Sequence, residues 1–423
     1  MNDRATLRRD VIGGITTFVT MAYSVIVNPA ILAGPGTGMP FTGVLTATVL
    51  IASVMTLAMG LYARLPFAVA PGMGLNAFFA FTVVLQNKVP WPVALGIVFW
   101  AGAIFLALSV TPLRETIALA IPPSLRAATA AGIGLLLTFI GLRSAGVIAA
   151  DPATLVRLGT LDHRAAFLLL GVLVAAALMR REHPLAFLAS IGVVTALSWL
   201  LGYQRPPERL VSQPDFDSAF LALDVWGALK LSLLPTIISI FFTDLFDSLS
   251  TFIGVSRAAG LTEADGRPLN LRRALIVDAF ATLGAGLAGT SSGTAFVESI
   301  AGIRMGGRTG RASVVTALCF LPCFFIAPSA AAVPAYATAP VLVLVGLAMF
   351  ESVRDLDFAR IEQALPAFVT IVLIPLTSSI TEGILWGFLL YAVLHLVVGR
   401  GREIGVVLWV LAGLSGCLLI LQS

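Results

Sequence analysis

The chain has 423 residues, of which 58% are apolar and only 11% are charged, and its mean hydropathy is +0.98. A soluble protein carries about 45–50% apolar and about 25% charged residues, so these charges cannot cover the two or three soluble domains that the length suggests. The composition therefore excludes soluble domains and makes lipid the solvent. The 26 basic and 22 acidic residues do not form a basic cluster, so nucleic acid is not an expected partner.

Apolar runs bounded by charge, Gly or Pro predict the spans, since a helical span takes about 20 apolar residues. The first half contains the runs 11–34, 42–62, 74–86, 91–111, 128–148, 163–179 and 185–202. After a polar, Pro-rich stretch at 203–222, the second half contains the runs 229–255, 273–288, 297–303, 311–327, 339–350, 365–380 and 383–398. A last apolar segment, 404–421, is either an extra span or an interfacial helix.

The loop arginines predict the orientation of the spans. With the N-terminus inside, basic residues favour the inside loops, as the positive-inside rule expects. These loops then hold, among others, Arg64, Arg114, Arg180, Arg267, Arg304 and Arg400. The first run has no small-residue cleavage site, so we expect a first span rather than a signal peptide. The sequence thus predicts a multi-pass protein of the inner (cytoplasmic) cell membrane with a cytoplasmic N-terminus.

Seven runs, a polar break and seven more runs indicate an internal duplication, and an odd number requires the second half to be inverted. The third and tenth runs are too short to cross a membrane, at 13 and 7 residues. Each follows an interrupted stretch rich in Gly with Pro or Ser, 65–73 in one half and 288–295 in the other. In transporters, paired interrupted segments mark the binding site. The alternative is two ordinary loops, although both stretches are too apolar for water.

The predicted fold class is therefore an all-α polytopic membrane protein. It has 14 transmembrane segments in two inverted seven-span repeats. Segments 3 and 10 are short, strand-like and broken, and they meet at the midplane, because irregular backbone at that depth must be buried in protein or face a cavity.

Three carboxylates stand out, because charged side chains inside spans are costly and by default mark a pathway. Asp244 and Asp247 lie in the eighth run on one helix face, which Thr251 continues. Glu298 begins the short helix after the second interrupted stretch. No basic residue lies near them in sequence, so these carboxyl groups are suited to carrying a proton. The alternative is that an aspartate only ties helices together through hydrogen bonds.

Asn76 holds the place in the first half that Glu298 holds in the second, since both open a helix after an interrupted stretch. Helix N-termini offer free N–H groups and partial positive charge. A carboxylate, an amide and backbone N–H groups suit a planar, neutral ligand with mixed donor and acceptor edges, and they suit a multivalent anion poorly. Phe79 and Phe296 are candidate stacking partners for a flat ring, with packing as the alternative role.

Signatures of metal or cofactor chemistry are missing from the sequence, which has no Walker loop, zinc-ligand spacing or nucleophile elbow. Cys319, Cys323 and Cys417 lie in apolar runs and read as small core residues. We therefore expect no metal, no cofactor besides a proton as the coupling ion, and no enzymatic activity.

Several motifs resemble the AzgA-like purine permeases of the nucleobase–cation symporter (xanthine/uracil permease) superfamily. The matching stretches run through nearly the whole chain, at 28–32, 72–80, 244–247, 297–299, 306–310 and 334–340. The resemblance implies proton-coupled import of adenine, guanine or hypoxanthine by elevator-type alternating access. It places the family's site positions at Asn76, Asp244 and Glu298, and a second acidic position tied to translocation at Asp247.

Together with the residues discussed above, this defines the candidate site. The expected substrate contacts are Asn76, Asp244, Glu298, Phe79, Phe296 and Thr294. Proton coupling is expected at Asp244, Asp247 and Glu298. Supporting roles are expected for Gly74, Asn28 and Thr251.

The resemblance also implies two domains. The core domain would comprise spans 1–4 and 8–11, residues 1–112 and 223–330. The gate domain would comprise spans 5–7 and 12–14, residues 113–222 and 331–423. Gate domains of this kind often form homodimers, so the expected partners are a nucleobase, the bilayer and a second copy of the chain.

Two departures from the family pattern lie beside the expected site. The stretch after the paired aspartates reads Ser248-Leu-Ser-Thr251 where such permeases usually read Thr-x-Gly-Thr. Gly293 and Phe296 stand where those permeases tend to carry a threonine and a tyrosine. These departures leave the transport class intact and keep open a transporter of the same fold for uracil, xanthine or another small planar nitrogen compound.

Two readings from other classes are weaker. An intramembrane enzyme would use the paired acids for general acid–base work, but a hydrolase has no need of inverted repeats. An anion transporter or channel would require basic residues facing the site.

Overall fold

In the computed structural model, the chain is described at residues 3–111, 122–263 and 268–422, which fold almost entirely into helices. The expected domain boundary between residues 112 and 113 lies outside these ranges, as do Arg114 and Arg267 of the charge pattern.

The first half contains eight described helices and three short strands. The helices are α1 (Asp3–Met21), α2 (Ser24–Leu32), α3 (Phe41–Ala58), α4 (Met73–Ala77), α5 (Trp91–Ser109), α6 (Pro123–Ser144), α7 (His163–Arg180) and α8 (Ala186–Leu200). Wider helical turns extend α3 through Met59–Ala63 and α4 through Phe78–Gln86. The strands are β1 (Val69–Pro71), between α3 and α4, and the hairpin of β2 (Ile148–Asp151) with β3 (Leu155–Leu158).

The second half contains nine described helices and one strand. The helices are α9 (Leu234–Ala259), α10 (Leu271–Ala288), α11 (Ser299–Arg304), α12 (Gly310–Phe320), α13 (Ala327–Ala331), α14 (Ala335–Phe350), α15 (Ile361–Thr377), α16 (Ile380–Val397) and α17 (Val406–Gln422). The strand β4 (Gly293–Ala295) lies between α10 and α11. Helix α9 ends at Gly260, whose φ of 65° is the left-handed conformation that commonly stops a helix.

The lengths of the helices define a membrane protein. Within the described ranges, eight helical segments are long and apolar enough to cross a bilayer, and five shorter apolar helices accompany them. The chain is therefore a helical, multi-pass membrane protein. Length and composition do not establish fourteen spans, so that number and the inverted repeat stay predictions.

The two interrupted stretches of the sequence meet in the structure. Strands β1 and β4 pair antiparallel, with Val69 opposite Ala295 and Pro71 opposite Gly293. All six strand residues are buried, and the ladder continues as the Phe296 amide donates to the Ala68 carbonyl at 2.9 Å. Buried backbone groups must find partners, and here each interrupted stretch supplies them to the other.

Close glycine contacts hold helices around this strand pair. A methyl group built on Gly13 of α1 would lie 2.6 Å from the carbonyl oxygen of Gly302 in α11. A methyl group built on Gly60, just after α3, would lie 2.5 Å from the carbonyl oxygen of Gly310 in α12. Small residues let helix backbones approach closely inside membranes, so α1, α3, α11 and α12 pack tightly around the strands.

Candidate functional site

Glu298 lies directly before α11, where the chain leaves strand β4. Its side chain is partly exposed, and its Oε1 accepts a 2.6 Å hydrogen bond from the Tyr23 hydroxyl. Tyr23 occupies the turn between α1 and α2, so this bond joins the first helices of the chain to the second interrupted stretch. The accessible acid at the end of β4 therefore has a fixed orientation.

Asp247 of α9 lies next to Gly72, which directly follows strand β1. Thr294 of β4 and Asp247 of α9 both approach Gly72, where an added methyl group would lie 2.7 Å from Thr294 Cγ2 and 3.8 Å from Asp247 Oδ2. The Thr294 hydroxyl is 3.0 Å from the Ser248 hydroxyl. Asp247 is partly exposed, like Glu298. Gly72 is required here because a side chain would displace the threonine and crowd the carboxylate.

Asp244, one turn before Asp247 on α9, is fully buried. Thr282 of α10 donates a hydrogen bond to its Oδ2, and the Thr282 hydroxyl also lies 2.8 Å from the Ser292 hydroxyl. Its other oxygen, Oδ1, is buried and has no hydrogen-bond partner among the described residues. The two aspartates share a helix face, as predicted. Of the two, only the Asp247 side chain is partly exposed.

Asn76 is fully buried on α4, close to β4. Ser291 donates a hydrogen bond to its Oδ1, and its Nδ2 donates to Met73 Sδ at 3.7 Å. The amide is therefore oriented across the gap between the two interrupted stretches. These two contacts use one lone pair of Oδ1 and one hydrogen of Nδ2, so the amide retains a donor and an acceptor position.

Asn28 of α2 is hydrogen-bonded to the segment that precedes strand β4. Its Nδ2 donates to Thr48 Oγ1 at 2.6 Å and to Thr290 Oγ1 at 2.9 Å. The bonds tie α2 to α3 and to the segment that leads into β4. The supporting role of Asn28 in transport stays a prediction.

The remaining predicted residues are mostly buried in packing. Phe79 and Phe296 are 1% and 5% exposed, so neither ring presents an open face in this conformation. Thr251 is buried on α9, one turn beyond Asp247. Gly74 packs against α6, because an added methyl group would lie 2.5 Å from Ile133 Cγ2. Stacking by the two rings stays a prediction.

Three residues that contact the predicted site residues were not predicted from the sequence: Tyr23, Thr282 and Ser291. Each is a hydroxyl that orients one of the predicted polar groups. Tyr23 carried a signal, because it is a rare polar aromatic residue in an apolar run close to Asn28. Thr282 and Ser291 resemble the many other small hydroxyl residues of the chain.

The site is acidic and rich in hydroxyl groups. Among the described residues, no ion pair reaches Asp244, Asp247 or Glu298, and no cluster of His, Cys, Asp and Glu has the arrangement of a metal site. Carboxylates, an amide and hydroxyl groups next to interrupted helices can exchange protons and hydrogen-bond a polar, uncharged ligand. Such a site next to paired interrupted segments inside a multi-pass fold is typical of membrane transporters.

Sequence comparison identifies the kind of transporter. The sequence profile of the xanthine/uracil permease family matches residues 8–385. The chain belongs to this family. The adenine permease AdeP of Escherichia coli is 41% identical over 94% of this chain and 89% of its own length. The guanine/hypoxanthine permease PbuO of Bacillus subtilis is 38% identical over 95% of this chain and 94% of its own length.

A solved structure supports the fold independently. The transmembrane domain of the cyanobacterial bicarbonate transporter BicA superposes with a TM-score of 0.66 at 18% identity. The match covers 90% of this chain and 97% of that domain. The chain therefore has the fold of a known transporter domain, although the low identity carries no information about substrate.

Proposed function

We propose that this chain imports purine nucleobases, namely adenine, guanine or hypoxanthine, together with protons. The observation that carries the proposal is the pairing of β1 with β4, because Glu298, Asp247 and Asn76 all lie beside these strands. Acidic and amide side chains without a cation suit a ligand that is polar but uncharged. The similarity to adenine and guanine/hypoxanthine permeases over nearly the full length supports purines as the substrate class.

The acids divide the work according to their access. Glu298 is partly exposed and oriented by Tyr23, so it accepts hydrogen bonds from N–H groups on the purine edge. Asn76 supplies the donor and acceptor positions that its contacts with Ser291 and Met73 leave free. Asp244 takes up the proton, because a buried acid far from cations is stable when neutral. Asp247, one turn along the same helix and partly exposed, passes the proton between Asp244 and the site. Proton uptake thus makes loading of the substrate favourable.

Movement in this proposal follows the elevator type of alternating access. The core is assigned to residues 1–112 and 223–330, and the gate to 113–222 and 331–423. Support comes from packing: α6 packs against α14, α15 and α16, while α1 and α3 pack against α12 and around the strands. The core then carries the strand-pair site past the gate.

The membrane arrangement completes the proposal. Fourteen segments in two inverted seven-span repeats, with a cytoplasmic N-terminus in the cytoplasmic membrane, agree with the positions of the interrupted stretches and with the arginine pattern. A homodimer through the gate domain is part of the same proposal and rests on the family resemblance.

The test is uptake of radiolabelled adenine, guanine and hypoxanthine by proteoliposomes holding the full chain. We expect accumulation driven by an inward proton gradient, collapsed by a proton ionophore. Accumulation that ignores the ionophore would overturn proton coupling.

One alternative retains the fold and the mechanism but changes the substrate. Gly293 and Phe296 lie at and just after β4, so the changes from the family pattern border the site itself. Competition among adenine, guanine, hypoxanthine, xanthine and uracil in one binding assay separates the two. Preference for uracil or xanthine would replace the purine proposal.

A further inference from the structure

The contact between Tyr23 and Glu298 has a third participant, Phe187 of α8. We propose that Tyr23 is a positioning residue for the substrate-facing carboxylate Glu298, and that Phe187 holds the Tyr23 ring in place. This inference rests on the proposed transport function and adds two residues to its site.

The hydrogen bond is short, and its donor is buried whereas its acceptor is partly exposed. The Tyr23 hydroxyl lies 2.6 Å from Glu298 Oε1, and the tyrosine is 1% exposed. A distance of about 2.5–2.7 Å is typical of a hydroxyl bound to a charged carboxylate. A carboxylate offers about four lone-pair positions, so one donor fixes its orientation and leaves acceptor capacity for a ligand.

The Tyr23 hydroxyl is an uncharged donor, and this suits a carboxylate that is to bind an uncharged ligand. The other carboxylate that faces Glu298 is Asp247 on α9, and among the described residues no cation pairs with either group. An arginine or lysine would fix Glu298 equally well but would add positive charge and attract anions. The tyrosine hydroxyl orders the carboxylate while the site stays suited to an uncharged nucleobase.

Phe187 connects this bond to another part of the molecule. The rings of Tyr23 and Phe187 meet edge to face, with centroids 4.9 Å apart and planes at 65°. At the far end of α11, Arg304 lies 3.5 Å from Glu182, five residues before Phe187. The C-terminal end of α11 thus contacts segment 182–187 directly through Arg304. The N-terminal end, at Glu298, is connected to the same segment through Tyr23.

The proposed domain division gives this contact a consequence. Segment 182–187 belongs to the gate, whereas Tyr23 and Glu298 belong to the core. When the core moves past the gate, Phe187 no longer packs on Tyr23, and the tyrosine hydroxyl loses its fixed direction. Glu298 is then ordered for binding in one conformation and less ordered in the other, which favours release of the substrate after the movement.

The experiment measures uptake kinetics of the full chain in proteoliposomes for the nucleobase that wild type prefers in the competition assay. For Tyr23→Phe we expect KM to rise by about tenfold, as for a lost hydrogen bond to a charged group, with Vmax within about twofold. For Phe187→Leu we expect a smaller rise. Because both act through one bond, the double variant should be no worse than Tyr23→Phe alone.

Two control variants match these changes. Tyr336→Phe removes a buried hydroxyl that has no hydrogen-bond partner within the described ranges, and Phe167→Leu alters a buried ring that stacks on Tyr336. Both should leave KM unchanged. Infrared spectra give a readout without substrate: the carboxylate band that Glu298→Gln removes should shift in Tyr23→Phe.

The outcomes are distinct. An unchanged KM and an unmoved carboxylate band in Tyr23→Phe would overturn the inference while leaving the transport function intact. Additive effects of the two substitutions would overturn the role of Phe187. A wild type that prefers uracil or xanthine would overturn the purine assignment, and the same variants would then test Tyr23 with that base.

Discussion

Thr282 on α10 donates its hydroxyl hydrogen to Asp244 on α9, and the second oxygen of that carboxyl group is buried with no hydrogen-bond partner in the part of the chain that the structure describes. The bond ties together two helices that both contact strand β4. A charged oxygen without a donor in a buried place is unfavourable, so a proton on Oδ1 would relieve it. The pair therefore combines a fixed orientation with a vacant position for a proton.

Asp244→Asn should abolish proton-driven accumulation of nucleobase but retain exchange of unlabelled for labelled substrate. The amide keeps an oxygen acceptor for Thr282 and can no longer change its charge. Its melting temperature should be unchanged or higher, because a buried charge is removed. Uptake, counterflow and thermal unfolding in detergent measure the three effects.

Asp217→Asn, in an exposed loop, is the control and should behave as wild type. Accumulation by Asp244→Asn at the wild-type level would contradict a role in proton coupling. Loss of exchange as well would assign Asp244 to substrate binding instead.

Asn28→Ala should destabilise the protein by about 2–3 kcal/mol, since two hydrogen bonds are lost and two buried hydroxyl groups lose their donor. We expect a lower melting temperature in detergent. Asn87→Ala, at an exposed position, is the matched control. Equal melting temperatures for the two variants would show that Asn28 does not hold the segment before β4.

Gly74→Ala should impair transport, because its methyl group would collide with Ile133 Cγ2 at 2.5 Å. Ile133→Ala removes that atom, so the double variant should recover transport better than Gly74→Ala alone. Gly413→Ala, where an added methyl group meets nothing within 4 Å, should have no effect. Uptake rates of the four variants test this; failure of rescue would place the effect in the backbone of α4 rather than in its contact with α6.

Arg400→Gln should lower the melting temperature, because a hydrogen bond between charged groups is lost. Arg400 Nη1 donates to Glu362 Oε1 at 2.6 Å, and the Glu362 side chain is only 5% exposed, so the substitution leaves a nearly buried acid unpaired. Arg402→Gln removes an exposed neighbouring charge and should leave the melting temperature unchanged. Equal unfolding temperatures for the two variants would contradict this account.

Much of the site's location could be predicted from the sequence for one physical reason. In a chain with few charges, an acid or a Gly- and Pro-rich stretch inside an apolar run is conspicuous. Asp247, Glu298 and the two interrupted stretches were predicted in this way. Strands β1 and β4 confirm that the stretches meet, and the roles of the two acids stay predictions. Their pairing follows from the need of buried backbone groups for partners.

The hydrogen-bond partners could not be predicted in the same way. Tyr23 and Glu298 are 275 residues apart, and Ser291 and Asn76 are 215 apart. Such contacts depend on how helices are rotated against one another, which apolar runs do not specify. For the same reason the sequence could not distinguish Asp244 from Asp247. In the structure, Thr282 binds Asp244 and is itself in contact with Ser292, and only Asp244 is fully buried.

The pairing of β1 with β4 also bears on how the protein is made. Strand β1 leaves the ribosome about 220 residues before its partner, which at roughly 5–20 residues per second is a delay of about 10–45 s. Throughout this interval the first half is in the membrane with unpaired backbone groups. The insertion machinery or bound water must satisfy those groups until Gly293–Ala295 arrives and pairs with β1.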